Sequence, residues 1–202
     1  MRVLGVDPGS VVCGYGVVEK IGKNITLIEY GVIEAKRQHE DLPMRLKTIY
    51  TRLQKVIERA LPDELAIETI FYSKSAPSII KLAHARSAAV LAAVMAEVPT
   101  VEYAPRSIKR AVTGNGNASK EQVQYMVRTL LNIEETPDFY DATDALAAAI
   151  CHCYQLQALA GKSGAKRASS WKEFVELNPE RVKAGAKSSA KTAEKTSVKI
   201  PK

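Results

Sequence analysis

RVLGVDPGSVVCGYGVVEKIGKNITLIEYGVIEA (2–35) holds three segments dense in β-branched residues, parted by the turn formers DPGS and IGKN. Runs of this kind between Gly, Pro and Asn signals predict three strands joined as a meander: RVLGV leading into Asp7, CGYGVVEK (13–20) and ITLIEYGVIEA (25–35). The connections are short, so the strands pair antiparallel.

Working outward, Leu46, Ile49, Leu53, Val56, Ile57 and Ala60 recur at helical spacing and predict a helix over 43–61. LAIET (65–69) is a short buried strand. Ser75-Ala-Pro77 opens a long helix to about Glu97, and TVEYA (100–104) is another strand. Shorter helices are predicted at 105–112 and 119–131, and a last one starts near Tyr140 with Gly161 as its C-cap. The order βββαβαβ, finished by helices, implies an α/β fold: a mixed sheet of an antiparallel meander plus parallel strands, flanked by helices.

Composition narrows the function classes. The chain has 202 residues, 46% hydrophobic and 25% charged, as expected of one globular domain. Residues 161–202 hold nine Lys and two Arg against four Glu, the whole net charge of +7, while residues 1–160 balance 18 basic against 18 acidic groups. The division is therefore a folded domain over 1–160 and a basic, largely disordered tail over 161–202. Within that tail Trp171, Phe174, Val175 and Leu177 are spaced for a short amphipathic helix near 171–182. The longest uninterrupted apolar run, SAAVLAAVMA (87–96), is short for a membrane span, and MRVLGVDPGS has no secretory h-region. The expectation is a cytoplasmic protein with no membrane association. Cys13, Cys151 and Cys153 are read as buried thiols. In CHC (151–153) neighbouring side chains diverge on a helix, so the motif makes neither a metal clamp nor a disulfide.

YDATDALAAAI (140–150) places Asp141 and Asp144 on one face of an otherwise apolar helix. Asp is favoured at helix starts as a cap, and capping alone would explain a single such pair. Two more acids alter the balance: Asp7 closes the first strand before Pro8-Gly9 turns away, and Glu68 closes the strand after Leu65, Ala66 and Ile67. Four carboxylates converging at a sheet rim are hard oxygen ligands suited to Mg²⁺ or Mn²⁺. Two such ions about 4 Å apart serve phosphodiester hydrolysis. His152 follows Asp144 on one helical face but lies about 12 Å along the axis, too far to share a metal, and is read as structural or solvent-facing.

VLGVDPGSVVCGYGVV, LAIETIFYSKS, LAHARSAAVLAA, VEYAPRSIKRAVTGNGNASKEQVQYMV and YDATDALAAAICH together resemble the RuvC family of Holliday-junction resolvases. The likeness runs in order from Arg2 to about His152. It implies a ribonuclease-H-like fold, a homodimer, Mg²⁺-dependent paired nicking of four-way DNA junctions, and cooperation with the RuvA–RuvB branch-migration machinery. By the same likeness Asp7, Glu68, Asp141 and Asp144 are the metal-binding acids, the Asp141 position being one where the family also uses His. The tail beyond Gly161 lies outside the resemblance. Its Lys-rich composition suits weak, salt-sensitive DNA affinity.

Residues for holding DNA cluster nearby. Phe71 and Tyr72 follow Glu68 in a polar loop and are candidates to stack on an unpaired base; the resemblance assigns a base contact to Phe71. Arg106, Lys109 and Arg110 share a short helix. Lys120 follows TGNGNAS, where Ser119 and Gln122 form a capping box at a helix N-terminus suited to a phosphate. The resemblance places Lys109 and Lys120 on the DNA face, Lys120 also steadying charge on the scissile phosphate. Lys74 and Lys81 are candidate backbone contacts. Three rivals remain: an actin-like or sugar-kinase ATPase, which needs a second phosphate loop that these 202 residues lack; a related nuclease acting on RNA or ends; and a metal-free DNA scaffold.

Overall fold

β1 (Arg2–Asp7) is the centre of the sheet. It pairs antiparallel with β2 (Cys13–Ile21) and parallel with β4 (Glu64–Glu68). β3 (Asn24–Ile33) and β5 (Thr100–Tyr103) form the edges, giving the order β3-β2-β1-β4-β5. These relations come from a computed structural model, which describes residues 1–70, 75–134 and 140–162. The unit Met1–Ala158 holds the whole sheet, and the second unit, Leu159–Lys202, contributes to the described residues only the last turn of the final helix.

Both faces of the sheet are covered, which is why β1 and β4 read as continuous apolar runs rather than alternating ones. On one face Leu4, Val6, Leu65 and Ile67 pack with Ile49, Leu53 and Val56 of α2 (Leu42–Ala60) and the alanines of α3 (Ala76–Met95). On the other, Val3 and Ala66 pack with Ile108 and Val112 of α4 (Pro105–Thr113), Val123 and Val127 of α5 (Lys120–Leu131), and Leu146 and Ile150 of α6 (Tyr140–Lys162). Helix ends follow local chemistry. Asp41 caps α2 by accepting from the Met44 amide, and Ser119 and Gln122 exchange side-chain bonds with each other's backbone at the start of α5.

Several expectations are corrected. β3 stops at Ile33, because Ala35 is drawn fully into the core and the Lys36 amide bonds to the Val11 carbonyl, leaving a short helix, α1 (Ala35–Gln38). Gly161 lies within α6 rather than capping it. Of the two readings of His152, structural or solvent-facing, the structural one holds: the ring is buried, with its Nε2 2.9 Å from a Glu64 carboxylate oxygen and its Nδ1 2.7 Å from the Tyr103 hydroxyl. The tautomer that puts the Nε2 proton toward the carboxylate lets Nδ1 accept from Tyr103. Burial lowers the His152 pKa, with Glu64 opposing, and that neutral ring ties β4, β5 and α6 together. All three cysteines are free and buried, as expected. α3 is, by length and composition alone, long and apolar enough to cross a membrane. Yet Ala85, Ala89, Ala92 and Ala93 are buried in the core it shares with α2 and the sheet.

Tyr103→Phe leaves the buried Nδ1 without its donor, a loss of about 1–3 kcal/mol. Thermal unfolding should then fall by roughly 3–8 °C for a chain of this size; a midpoint within a degree of wild type would show that the bond carries no stability.

Candidate active site

Every strand that leads toward the site ends at the same rim. Asp7 is the last residue of β1 and Glu68 the last of β4. The parallel register, Val6 opposite Ile67, sets their ends side by side. α6 crosses this rim with Asp144 on its first turns, and α5 begins there with Lys120. The result is a cleft of about 260 Å³ lined by Asp7, Glu68, Pro105, Ile108, Lys109, Lys120, Val123 and Asp144.

The electrostatics follow from taking carboxylates out of water next to one another. Asp7, largely buried, is held far above the usual carboxylate range, first by desolvation and then by Asp144, Glu68 and Asp141. Glu68 is pushed up to about 7 by burial and by Asp144, against the pull of Lys120 and Lys109. Asp144 is raised by burial in spite of Lys120, whose ammonium lies 3.1 Å from one of its oxygens. Burial works against the Lys120 charge, but Asp144, and behind it Asp7 and Asp141, more than offset it and raise its pKa. Lys109 is anchored differently, its ammonium donating to the Ala118 carbonyl at 2.7 Å.

The predicted site residues therefore divide. Asp7, Glu68, Asp144, Lys109 and Lys120 share the cleft. Asp141 stands just outside its lining but close enough to act on the charges of Asp7 and Asp144. Arg106 turns to the loop, donating to Asn117 Oδ1 at 2.9 Å, and Arg110 and Lys81 are exposed away from the lining. Phe71, Tyr72 and Lys74 lie outside the described residues, as does the 171–182 segment. Pro105, Ile108 and Val123, which wall the cleft, were missed; their only signal was the apolar periodicity of α4 and α5.

Among the described residues, no three acidic, His or Cys side chains close around one point as a finished metal cage would. Bare carboxylates repel, and the Lys120 ammonium already neutralises Asp144. The donor set nevertheless fits a hard divalent cation: it is all carboxylate, desolvated, and mutually repelled, so that added positive charge relieves it. An open set also suits Mg²⁺, which keeps several waters and takes only a few carboxylates.

The chain was compared with known proteins. A family model described as "Crossover junction endodeoxyribonuclease RuvC" matches residues 3–152. The protein of that name from Porphyromonas gingivalis is 43% identical over 183 residues, 90% of this chain and 96% of the relative. The one from Enterobacter sp. is 47% identical over 155 residues, 77% of this chain and 88% of the relative. A solved structure of Thermus thermophilus RuvC in complex with a Holliday junction substrate superposes with a TM-score of 0.73 at 33% identity, over 78% of this chain and 96% of that one.

The raised pKa values carry a sign. A carboxyl whose folded pKa is raised stabilises the fold below its unfolded pKa, and loses that contribution as pH climbs through the folded value. For Glu68 the window is from 4.5 to about 7. In chelator, wild-type stability should fall across this window, and Glu68→Gln should flatten the fall and raise the midpoint at pH 8 by roughly 2–8 °C. Mg²⁺ should restore more stability at pH 8 than at pH 5 in wild type. Identical melting profiles for the two proteins would sink the electrostatic account.

Proposed function

Because the chain belongs to the RuvC family of crossover junction endodeoxyribonucleases, we propose that it resolves four-way DNA junctions in recombination and repair. It would do so by symmetric, paired nicking of two strands. The observation that supports this most is the single cleft in which the carboxylates ending β1 and β4, Asp144 of α6 and two lysines face the same space. The Thermus thermophilus relative was solved with that class of substrate.

Mg²⁺ is the proposed cation, with Mn²⁺ as a substitute and two ions per cleft. Bound there, it supplies Lewis acidity and lowers the pKa of water toward neutrality. Asp7, Glu68 and Asp144 would hold it, with Asp141 adding negative charge from the edge. Lys120 has two tasks: it holds the Asp144 carboxylate in place, and it meets the charge that builds on the scissile phosphate. Lys109, fixed by Ala118, presents a second cation beside it. Pro105, Ile108 and Val123 keep one wall of the cleft apolar beside the Lys120–Asp144 pair. Phe71 and Tyr72 would stack on unpaired bases, with Lys74, Lys81 and Arg110 on the backbone. Arg106 acts at one remove, bracing the loop before α5.

Junction resolution requires two cuts related by two-fold symmetry, which a homodimer supplies. From sequence alone, the apolar helix over 79–96 offers small residues, Ala83, Ala85, Ala88 and Ala92, for a close-packed dimer face. Of these, Ala85 and Ala92 are buried in the core and Ala83 and Ala88 are half-buried, whereas the large apolar side chains exposed on that helix are Ile80, Leu91, Val94 and Met95. These four are the proposed dimer contact, which would also account for an apolar helix left partly uncovered. We place the nuclease domain at 1–160 and assign salt-sensitive DNA affinity to the basic tail over 161–202. The protein would work in the cytoplasm with the RuvA–RuvB complex.

On a synthetic four-way junction with Mg²⁺, wild type should make paired symmetric nicks. Asp144→Asn should lower cleavage at least a hundredfold while junction binding in gel shift persists; cleavage at wild-type rate would remove Asp144 from the site. In sedimentation, Leu91→Glu should turn a dimer into a monomer that no longer couples its two nicks, whereas a dimeric variant would place the interface elsewhere.

A further inference from the structure

Three glycines on the sheet face under α6 have no room for a side chain. Gly5 and Gly16 are cross-strand partners, and so are Asp7 and Gly14. Because strand side chains alternate, Gly5 and Asp7 of β1 point to the same face, as do Gly14 and Gly16 of β2. That face carries α6. A Cβ at Gly5 would lie 1.9 Å from the Ala145 carbonyl oxygen, and one at Gly14 would lie 1.9 Å from the Asp141 carbonyl oxygen. A Cβ at Gly16 would lie 2.5 Å from Leu146 Cδ2. The first two obstacles are helix backbone and cannot swing aside; the third is the Leu146 side chain, whose Cγ stands at 2.6 Å beside Cδ2.

The helix contributes matching small residues, Ala142, Ala145 and Ala149, all buried. Its backbone therefore rests directly on β1 and β2, with the Asp141 carbonyl over the strand residue opposite Asp7. Any methyl inserted at Gly14 must lift the first turns of α6, the turns that carry Asp141 and Asp144, away from the end of β1.

We propose that Gly14, supported by Gly5 and Gly16, is a positioning residue of the acidic cleft, setting the distance between Asp7 and the Asp141–Asp144 turn by admitting the α6 backbone onto the sheet. The seat acts through the carboxylates and rests on their being a divalent-cation site. Glycine here is required by the closeness of another backbone, not by its own dihedral angles, since among the described residues the positive-φ glycines are Gly22 and Gly114.

The test is a titration of Mn²⁺ into the full-length chain, without DNA, by calorimetry. Gly14→Ala should bind Mn²⁺ at least tenfold more weakly than wild type, while junction affinity in chelator stays within about twofold. Gly22→Ala is the control: it strains a left-handed turn in open space, so it destabilises without touching the seat and should leave Mn²⁺ affinity unchanged. Gly16→Ala should also weaken Mn²⁺ binding, and Leu146→Ala in that background should return the affinity to that of Leu146→Ala alone, since only a side chain stands in the way. If Gly14→Ala does not fold, this Gly16 and Leu146 pair decides. Wild-type Mn²⁺ affinity in folded Gly14→Ala, or an equal loss in Gly22→Ala, overturns the positioning role. A wild-type chain that binds no Mn²⁺ overturns the cation site itself.

Discussion

Like-charge repulsion at the rim of a sheet covered on both faces is the constraint on which the rest of this structure depends. Asp7, Glu68 and Asp144 are each raised in pKa by burial first and then by a neighbouring carboxylate: Asp7 by Asp144, Glu68 and Asp141, Glu68 by Asp144, and Asp144 by Asp141; among the described residues the nearest compensation is Lys120 on Asp144. Left to itself, such an arrangement favours partial protonation or separation of the acids. The protein resists separation by fixing each carboxylate to a different rigid element. Asp7 ends the central strand, Glu68 its parallel neighbour, and Asp144 a helix pressed onto both. The strain is local, and the two hydrophobic layers elsewhere carry the stability.

That rigidity has identifiable sources. The side of the sheet away from the cleft is sealed by α2 and the buried alanines of α3. On the cleft side α4, α5 and α6 pack through Ile108, Val123, Val127, Leu146 and Ile150. Behind the acids, buried His152 meets a Glu64 carboxylate oxygen at 2.9 Å and hydrogen-bonds the Tyr103 hydroxyl, linking the start of β4, the middle of α6 and the end of β5. Tyr103 is the register partner of Glu68. The strand end that carries one acid and the helix that carries another are therefore coupled through a neutral imidazole as well as through the cleft.

Much of the fold was legible in the chain because its signals are local. The meander, α2 and the Ser119–Gln122 box are written in β-branched runs, a helical repeat and a capping pair. Asp7 and Glu68 were legible for a similar reason, each ending an apolar strand. The rest depends on tertiary contacts. The turn at Ala35–Gln38 follows from burial of Ala35 and a bond to Val11, neither visible in propensity. α3 is so uniformly apolar that its period could not say which residues face inward, so Ala85 and Ala92 were assigned to the wrong side. His152 looked ambiguous because its partners, Glu64 and Tyr103, are 88 and 49 residues away in sequence. Asp141 was placed with the ligands by its helical spacing and by the family resemblance; in the structure it borders the cleft rather than lining it.

The apolar side of α3 and the polar cleft are connected by what the proposed reaction demands. A single cleft can hydrolyse one phosphodiester, and nothing in its geometry relates one cut to a second on another strand. Pairing needs a second copy held at a fixed angle, and a fixed angle needs an interface stiff enough to transmit it. α3 qualifies on both counts. Its buried alanines lock it to α2 and the sheet that ends in Asp7 and Glu68, so its exposed Ile80, Leu91, Val94 and Met95 move with the cleft rather than independently. A flexible or loop-built contact would join two copies without orienting their active sites. An apolar helix fixed to the sheet that ends in the acids, and partly uncovered on its outer side, would join and orient them together, as proposed for α3.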